Sequence, residues 1–235
     1  MHNPIIVALD VAHPEQALAL AAQVAPAVGA FKIGKELFVS AGPDIVRRIR
    51  ATGAAVFLDL KFHDIPNTVA QAVAAAVRLD VQMLTIHASG GTAMMQAAET
   101  AAQEAARAAG RPVPLVLGVT VLTSLDAGDL AAVGIAGGVG AQVERLAALA
   151  AAAGLRGLVC SPLEIAALRK LLPATMQLVT PGIRPAAGGK PDDQKRTLTP
   201  REAMVAGASW LVIGRPIYAA KNPRRAAEEI LASLA

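Results

Sequence analysis

The stretch 55-AVFLDLKFHDIPNTVAQAVAAAVRLDVQMLTIH-87 decides the fold. It opens on a short apolar run at residues 55–60, passes through an Ala-, Gln- and Val-rich helical pattern, and closes on a second run at residues 83–87. Near-continuous apolar runs of this kind belong to a parallel sheet covered by helices. The unit recurs along the chain, with further runs at residues 5–9, 30–33, 115–122, 157–160, 177–180 and 210–213. Eight strand-helix units in 235 residues predict an α/β fold, a single-domain TIM (β/α)8 barrel over residues 1–235. The competing architecture is a doubly wound open sheet. It usually carries a glycine-rich fingerprint after the first strand, whereas this first strand runs into Leu9-Asp10-Val11-Ala12-His13-Pro14.

Helix starts are marked along the chain. Ser161-Pro162-Leu163-Glu164 and Thr199-Pro200-Arg201-Glu202 read as capping boxes with Pro at the first helical position. His13-Pro14-Glu15-Gln16 and Asn222-Pro223 are weaker versions. Residues 125–140 read as a short helix plus loop before the main helix of the fifth unit. Residues 185–197, containing Gly188, Gly189 and Pro191, form the other long irregular piece and a candidate lid.

Apolar residues at 54% and charged residues at 17% exclude a disordered chain. The lone Cys160 cannot form an internal disulfide and reads as a small buried residue. No basic leader with an apolar stretch and cleavage site opens the sequence, and no apolar run of about 18 residues is unbroken. The expectation is a soluble cytoplasmic protein with no membrane partner. The net charge of +4 comes from 22 basic and 18 acidic residues. Arg47, Arg48 and Arg50 fall on one predicted helix, while Lys195-Arg196 and Arg224-Arg225 have acidic neighbours. With 3% aromatics there is little surface for base stacking, so these cations read as solvated helix faces rather than a nucleic-acid site.

In such a barrel the active site forms at the C-terminal ends of the strands. There the sequence places Asp10, Lys32, Asp59, Lys61, His87, Thr123, Ser124, Arg184, Gly214 and Arg215. Asp59 and Lys61 are two apart, so on a strand they share a face. Burying an Asp-x-Lys pair without further partners is costly. Lys32 and Asp10, from the two preceding strands, supply such partners and complete an alternating carboxylate–ammonium array. The simpler alternative is a set of ion pairs that closes the barrel mouth. Phosphate sites in these barrels use the loops after strands seven and eight. Gly214 permits close backbone approach to an anion, and Arg215 can bind phosphate bidentately. Arg184 and the 185–197 loop are placed to close over the same anion. Pro66 restricts Ile65 to extended geometry, which projects Asp64 outward. His63 reads as a loop-packing residue and His87 as a hydrogen-bonding group in the mouth. Met94 and Met95 read as helix packing, and Asp126, Asp129, Asp192 and Asp193 as solvated loop carboxylates. No spacing of His, Cys and carboxylates suggests zinc.

Asp59-Leu60-Lys61-Phe62-His63-Asp64-Ile65-Pro66-Asn67-Thr68 resembles the signature of the orotidine 5′-phosphate decarboxylase family. Ala8-Leu9-Asp10, Phe31-Lys32-Ile33-Gly34, Val179-Thr180-Pro181-Gly182-Ile183-Arg184 and Ile213-Gly214-Arg215-Pro216-Ile217 resemble further segments of that family, at corresponding strand ends over essentially the whole chain. The resemblance implies conversion of orotidine 5′-monophosphate to uridine 5′-monophosphate and carbon dioxide, the last step of de novo pyrimidine nucleotide synthesis, with no cofactor and no metal. Carried over residue by residue, it makes Lys61 the proton donor to C6 of the pyrimidine and sets Asp59 beside the substrate carboxylate. Lys32 and Asp10 would bind the ribose hydroxyls. Thr123, or alternatively Ser124, would hydrogen-bond the pyrimidine. Gln194, Gly214 and Arg215 would hold the phosphate, with Arg184 in the same region. Asp64, with Ile65 and Thr68, would reach the neighbouring site of a homodimer. Magnesium-dependent keto-sugar phosphate enzymes on the same barrel share the Asp-x-Lys-x-x-Asp pattern, but have a carboxylate for the metal where this chain has Lys32. A noncatalytic nucleotide-binding barrel is the third alternative.

Overall fold

The computed structural model describes residues 3–184 and 197–234. Gln194, Lys195-Arg196, Asp192-Asp193 and the candidate lid up to residue 196 lie outside the described residues. Eight parallel strands, β1 (Ile5–Ala8), β2 (Ala30–Gly34), β3 (Ala55–Phe62), β4 (Met83–His87), β5 (Leu115–Val119), β6 (Gly157–Val159), β7 (Gln177–Thr180) and β8 (Trp210–Ile213), close into a barrel in chain order. β8 returns to β1 with Ile5↔Leu211, Ile6↔Val212 and Val7↔Ile213 in register. The helices lie between and after the strands: α1 (Pro14–Val24), α2 (Lys35–Ala41), α3 (Asp44–Arg50), α4 (Pro66–Arg78), α5 (Thr92–Ala108), α6 (Ala127–Ala132), α7 (Val139–Ala152), α8 (Ile165–Leu171), α9 (Pro200–Ala206), α10 (Arg215–Tyr218) and α11 (Pro223–Ala232). No described helix is long and apolar enough to cross a membrane.

The period of two along each strand builds two apolar layers. Ile5, Val7, Phe31, Ile33, Val56 and Leu58 point outward and pack under the helices. Ile6, Ala8, Ala30, Phe57, Met83, Leu117, Val179 and Val212 fill the barrel. The helices meet the outer layer with small side chains. On α5 the buried stripe is Met94, Met95, Ala98, Ala102 and Ala106, so both methionines pack as the sequence predicts. Followed toward the C-terminal mouth, the inward positions change from apolar to polar: Ile6-Ala8-Asp10, Ala30-Lys32, Ala55-Phe57-Asp59 and Met83-Thr85-His87. The alternation that packs the interior therefore also delivers the chemistry.

Two strand ends differ from the sequence reading by more than one residue, and those of β1, β2 and β6 by one. β5 stops at Val119 rather than residue 122, because β4 ends opposite it at His87 and β6 ends opposite it at Val159. Beyond that point the Thr120 N–H still reaches the Val159 carbonyl at 3.4 Å, and the strand pairing ends there. β3 continues past residue 60 to Phe62, but through an irregularity: Leu58 pairs with Leu84 and Phe62 with Ile86, so four residues of β3 span two of β4. Within this bulge Lys61 takes a left-handed φ of 55°.

The capping signals act as read at α9, where the Thr199 hydroxyl accepts the Glu202 N–H at 3.2 Å and Glu202 accepts the Thr199 N–H at 2.9 Å. Asn222 accepts the Arg225 N–H at 3.0 Å, whereas His13 gives α1 no side-chain cap. Asp126 and Asp129 are a correction. They cap α6 through a reciprocal box rather than serving only as solvated loop charges. So is Arg50, which pairs with Asp80 at 2.8 Å and caps the Ala54 carbonyl instead of lying on a free face. Arg47 and Arg48 are exposed, and Arg224 and Arg225 pair with Glu228 and Glu229 at 2.9 and 2.8 Å.

Candidate active site

Four charged side chains from three adjacent strands meet at the barrel mouth. Lys32 Nζ lies 2.9 Å from Asp10 Oδ1 and 3.9 Å from Asp59 Oδ2, and Lys61 Nζ lies 2.7 Å from Asp59 Oδ1. The order Asp10, Lys32, Asp59, Lys61 is the alternating array expected from the sequence. Its Asp10 end is wet, with that side chain 48% exposed, whereas Lys32, Asp59 and Lys61 are 11%, 13% and 24% exposed. Burial alone pushes the Asp59 carboxyl pKa up. The ammonium groups of Lys61 and Lys32, with hydrogen bonds from Lys61 and Thr85, outweigh burial and hold it below the ordinary range. Asp59 is thus kept ionised and Lys61 is held against it.

Thr85, buried on β4, joins the site with no motif in the sequence to mark it. Its hydroxyl donates to Asp59 Oδ1 at 3.0 Å and accepts the Lys61 N–H at 2.9 Å. The signal was present, since Thr85 shares the inward phase of Met83 and His87. Gly34 was also missed as a site residue. A Cβ there would stand 3.2 Å from Lys32 Nζ and 3.3 Å from Asp10 Oδ1, crowding the ion pair.

Two cavities flank the array and share Lys32, Pro181 and Val212. The wider, about 610 Å³, is polar; Asp10, Arg184, Gly214, Arg215 and Tyr218 line it. Gly214 and Arg215 follow β8 as expected, and Arg184 follows β7 into the same wall. The narrower, about 180 Å³, has Asp59 and Lys61 on one side and Phe57, Val119, Val121, Leu122, Val159 and Cys160 around it, with Thr123 at its rim. Ser124 does not line it. Cys160 is buried, and burial, the first cause, with Glu164 pushes its thiol up to about 12, so it is a packing group there. Among the described residues no three His, Cys, Asp or Glu side chains are grouped so as to hold a metal ion.

His63 and His87 stand with ring centroids 5.3 Å apart. Asp64, Ile65 and Thr68 lie outside both cavities. All three are exposed, Ile65 at 67%, and Asp64 Oδ1 accepts the Ile65 N–H. Ile65 has φ −58° and ψ 152°, the extended geometry that Pro66 imposes, and α4 starts directly after it. These three side chains are therefore open to solvent and line neither cavity.

The family model described as "Orotidine 5'-phosphate decarboxylase / HUMPS family" matches residues 3–230. The chain is 53% identical over 233 residues to the orotidine 5′-phosphate decarboxylase of Pseudomonas savastanoi pv. phaseolicola, covering 99% of this chain and 98% of the relative. It is equally 53% identical over 233 residues to that of Pseudomonas fluorescens, with the same coverage. The crystal structure of orotidine 5′-phosphate decarboxylase from Lactobacillus acidophilus superposes with a TM-score of 0.88 at 37% identity, covering 99% of both chains. With a closed barrel, an Asp-x-Lys pair at its mouth and a match over nearly every residue, the chain belongs to the orotidine 5′-phosphate decarboxylase / HUMPS family.

Proposed function

We propose that this protein decarboxylates orotidine 5′-monophosphate to uridine 5′-monophosphate, the closing step of pyrimidine nucleotide synthesis, without a cofactor and with Lys61 as the proton donor. The observation that carries the reading is the paired cavity. A polar compartment with Arg184 and Arg215 meets an apolar compartment that is flanked by Asp59 and Lys61, and the Asp10–Lys32 pair stands at their junction. A nucleotide has the same division: phosphate at one end, ribose between, a flat base at the other.

In the reaction the bond from C6 to the carboxylate breaks, carbon dioxide leaves, and the electron pair stays on C6. The ring cannot spread that pair, so the protein must stabilise a localised charge. An ammonium about 4 Å away contributes on the order of 4 kcal/mol at an effective dielectric near 20. Enzymatic accelerations correspond to about 8–23 kcal/mol, so one lysine is not enough. The array around Asp59, held by its ion pairs and by the Thr85 hydrogen bond, supplies a preorganised field. Lys61 then transfers a proton to C6 and is left neutral until solvent restores it. Asp59, close to the departing carboxylate, adds repulsion that is relieved as carbon dioxide leaves. Gly214 and Arg215, to which the family resemblance adds Gln194, are assigned to the phosphate; it is the end of the nucleotide remote from C6, and its binding energy serves to order the reacting end.

We further assign Asp64, Ile65 and Thr68 to the neighbouring site of a homodimer, a role that suits their outward projection. Lys32 in the array argues against a magnesium site at that position, because a cation there repels the metal. A cytoplasmic location goes with this reading.

The test is turnover of orotidine 5′-monophosphate in the presence of excess chelator, followed by the change in absorbance to that of the uridine product. Full turnover is expected, with a loss of at least about a thousandfold in Lys61→Ala. Chelator-sensitive turnover of a keto-sugar phosphate, or nucleotide binding without any turnover, would replace this reading with one of its rivals.

A further inference from the structure

We infer that Thr85 is a positioning residue whose one hydroxyl locks the Lys61 backbone to the Asp59 carboxylate, fixing where the ammonium stands. The inference rests on the decarboxylase reading for its kinetic consequence but not for its structural one.

The bulge in β3 removes Lys61 from the ladder: the register to β4 holds at Leu58↔Leu84 and resumes only at Phe62↔Ile86. A buried N–H without a partner is costly, and a non-glycine residue at φ 55° is unusual unless its surroundings impose it. Thr85, the β4 residue between those two registers, supplies the missing acceptor through its side chain, Lys61 N–H to Oγ1 at 2.9 Å. The same oxygen has one proton to give, and gives it to Asp59 Oδ1 at 3.0 Å. The direction of both bonds is therefore fixed. Lys61 Nζ also bonds Asp59 Oδ1, at 2.7 Å, so both bonds to this carboxylate fall on one oxygen and Oδ2 is left toward Lys32.

This arrangement has a consequence for turnover. When Lys61 hands its proton to C6, Asp59 Oδ1 loses its cationic partner. The Thr85 bond persists and keeps the carboxylate turned to receive the restored ammonium. As a β-branched residue, fully buried, Thr85 holds a narrow range of side-chain angles. The ionisable groups around Asp59 are Lys61 on β3, Lys32 on β2 and His87 on β4, with Asp10 behind Lys32. Among these and the neutral residues of the apolar cavity, Thr85 is the uncharged donor to the carboxylate.

Thr85→Val keeps the shape and removes both bonds, Thr85→Ala does so with less bulk, and Thr85→Ser keeps the hydroxyl. Loss of hydrogen bonds to a charged group predicts a fall in kcat of about 10–100-fold for Thr85→Val, or for Thr85→Ala if the valine variant fails to fold. KM should change by no more than about threefold, because phosphate is held in the other cavity. The acid limb of kcat against pH should move upward, since Asp59 loses a donor that favours its ionised form. Thr85→Ser should stay within about threefold of the parent in all three measures. A second readout needs no turnover: exchange of the Lys61 amide proton should be slow in the parent and Thr85→Ser, and at least about tenfold faster in Thr85→Val. Parent-like kinetics in a folded Thr85→Val or Thr85→Ala, a Thr85→Ser as impaired as the valine variant, or unchanged Lys61 exchange would overturn the inference. If the parent itself fails to turn over orotidine 5′-monophosphate, the decarboxylase reading falls and the exchange measurement still decides the role of Thr85.

Discussion

His87 shows how a single side chain reports on its surroundings. It ends β4, faces His63 at 5.3 Å, and lies near Lys61 and Lys35. Burial first, then these three cations or potential cations, push its imidazole from the ordinary 6.5 down to about 4. Between those two values the unfolded chain binds a proton at this residue and the folded chain does not. Folding stability therefore rises with pH through that window and is lost as pH falls from about 6.5 to about 4. A series of thermal melts should show this slope in the parent and a flatter one in His87→Gln; identical slopes would mean that other groups govern it. The sequence placed His87 at the mouth, but its charge state depends on burial there and then on His63, Lys61 and Lys35, which come from other strand ends.

At the scale of elements, the cap of α9 was readable, whereas the ends of β3 and β5 were not. A cap is a local device, made by residues within one turn, so Thr199 and Glu202 could be recognised without knowing anything else. Thr199→Ala should cost about 1 kcal/mol, seen in a chain of this size as a Tm lowered by about 2–4 °C. An unchanged Tm would show that α9 is held by packing rather than by its cap. β5 and β3 behave differently, because a strand ends where its neighbours end. The apolar run 115–122 looks like one strand, yet β4 and β6 stop opposite Val119. In β3 the two-apart rule brought Asp59 and Lys61 together correctly, but the bulge that turns Lys61 left-handed is a mismatch with β4 that no single strand can display.

Across the whole molecule, charge and apolar surface are distributed by the closed barrel. One end of it gathers the array, while Asp64 and Ile65 after β3 and Thr68 in the first turn of α4 are exposed, Ile65 with an apolar side chain. Shared sites in a homodimer predict that Asp64→Ala and Lys61→Ala proteins, each of low activity, regain activity when mixed and allowed to exchange subunits. One site in four chance pairings of a mixed dimer population would then combine two intact contributions, so recovery should approach about a quarter of the parent rate. Proven exchange without recovery would place Asp64 in its own subunit's work. The amino-acid sequence alone determined the barrel, its inward and outward faces and the four charges of the mouth, because these follow from local periodicity and from strand ends that a parallel barrel must align. Tertiary structure alone decided the partnership of Thr85 with Lys61, the division of the cleft into polar and apolar halves and the low pKa of His87. Each of these is a contact between strands remote in sequence, where distance and burial set the energy and residue type by itself does not.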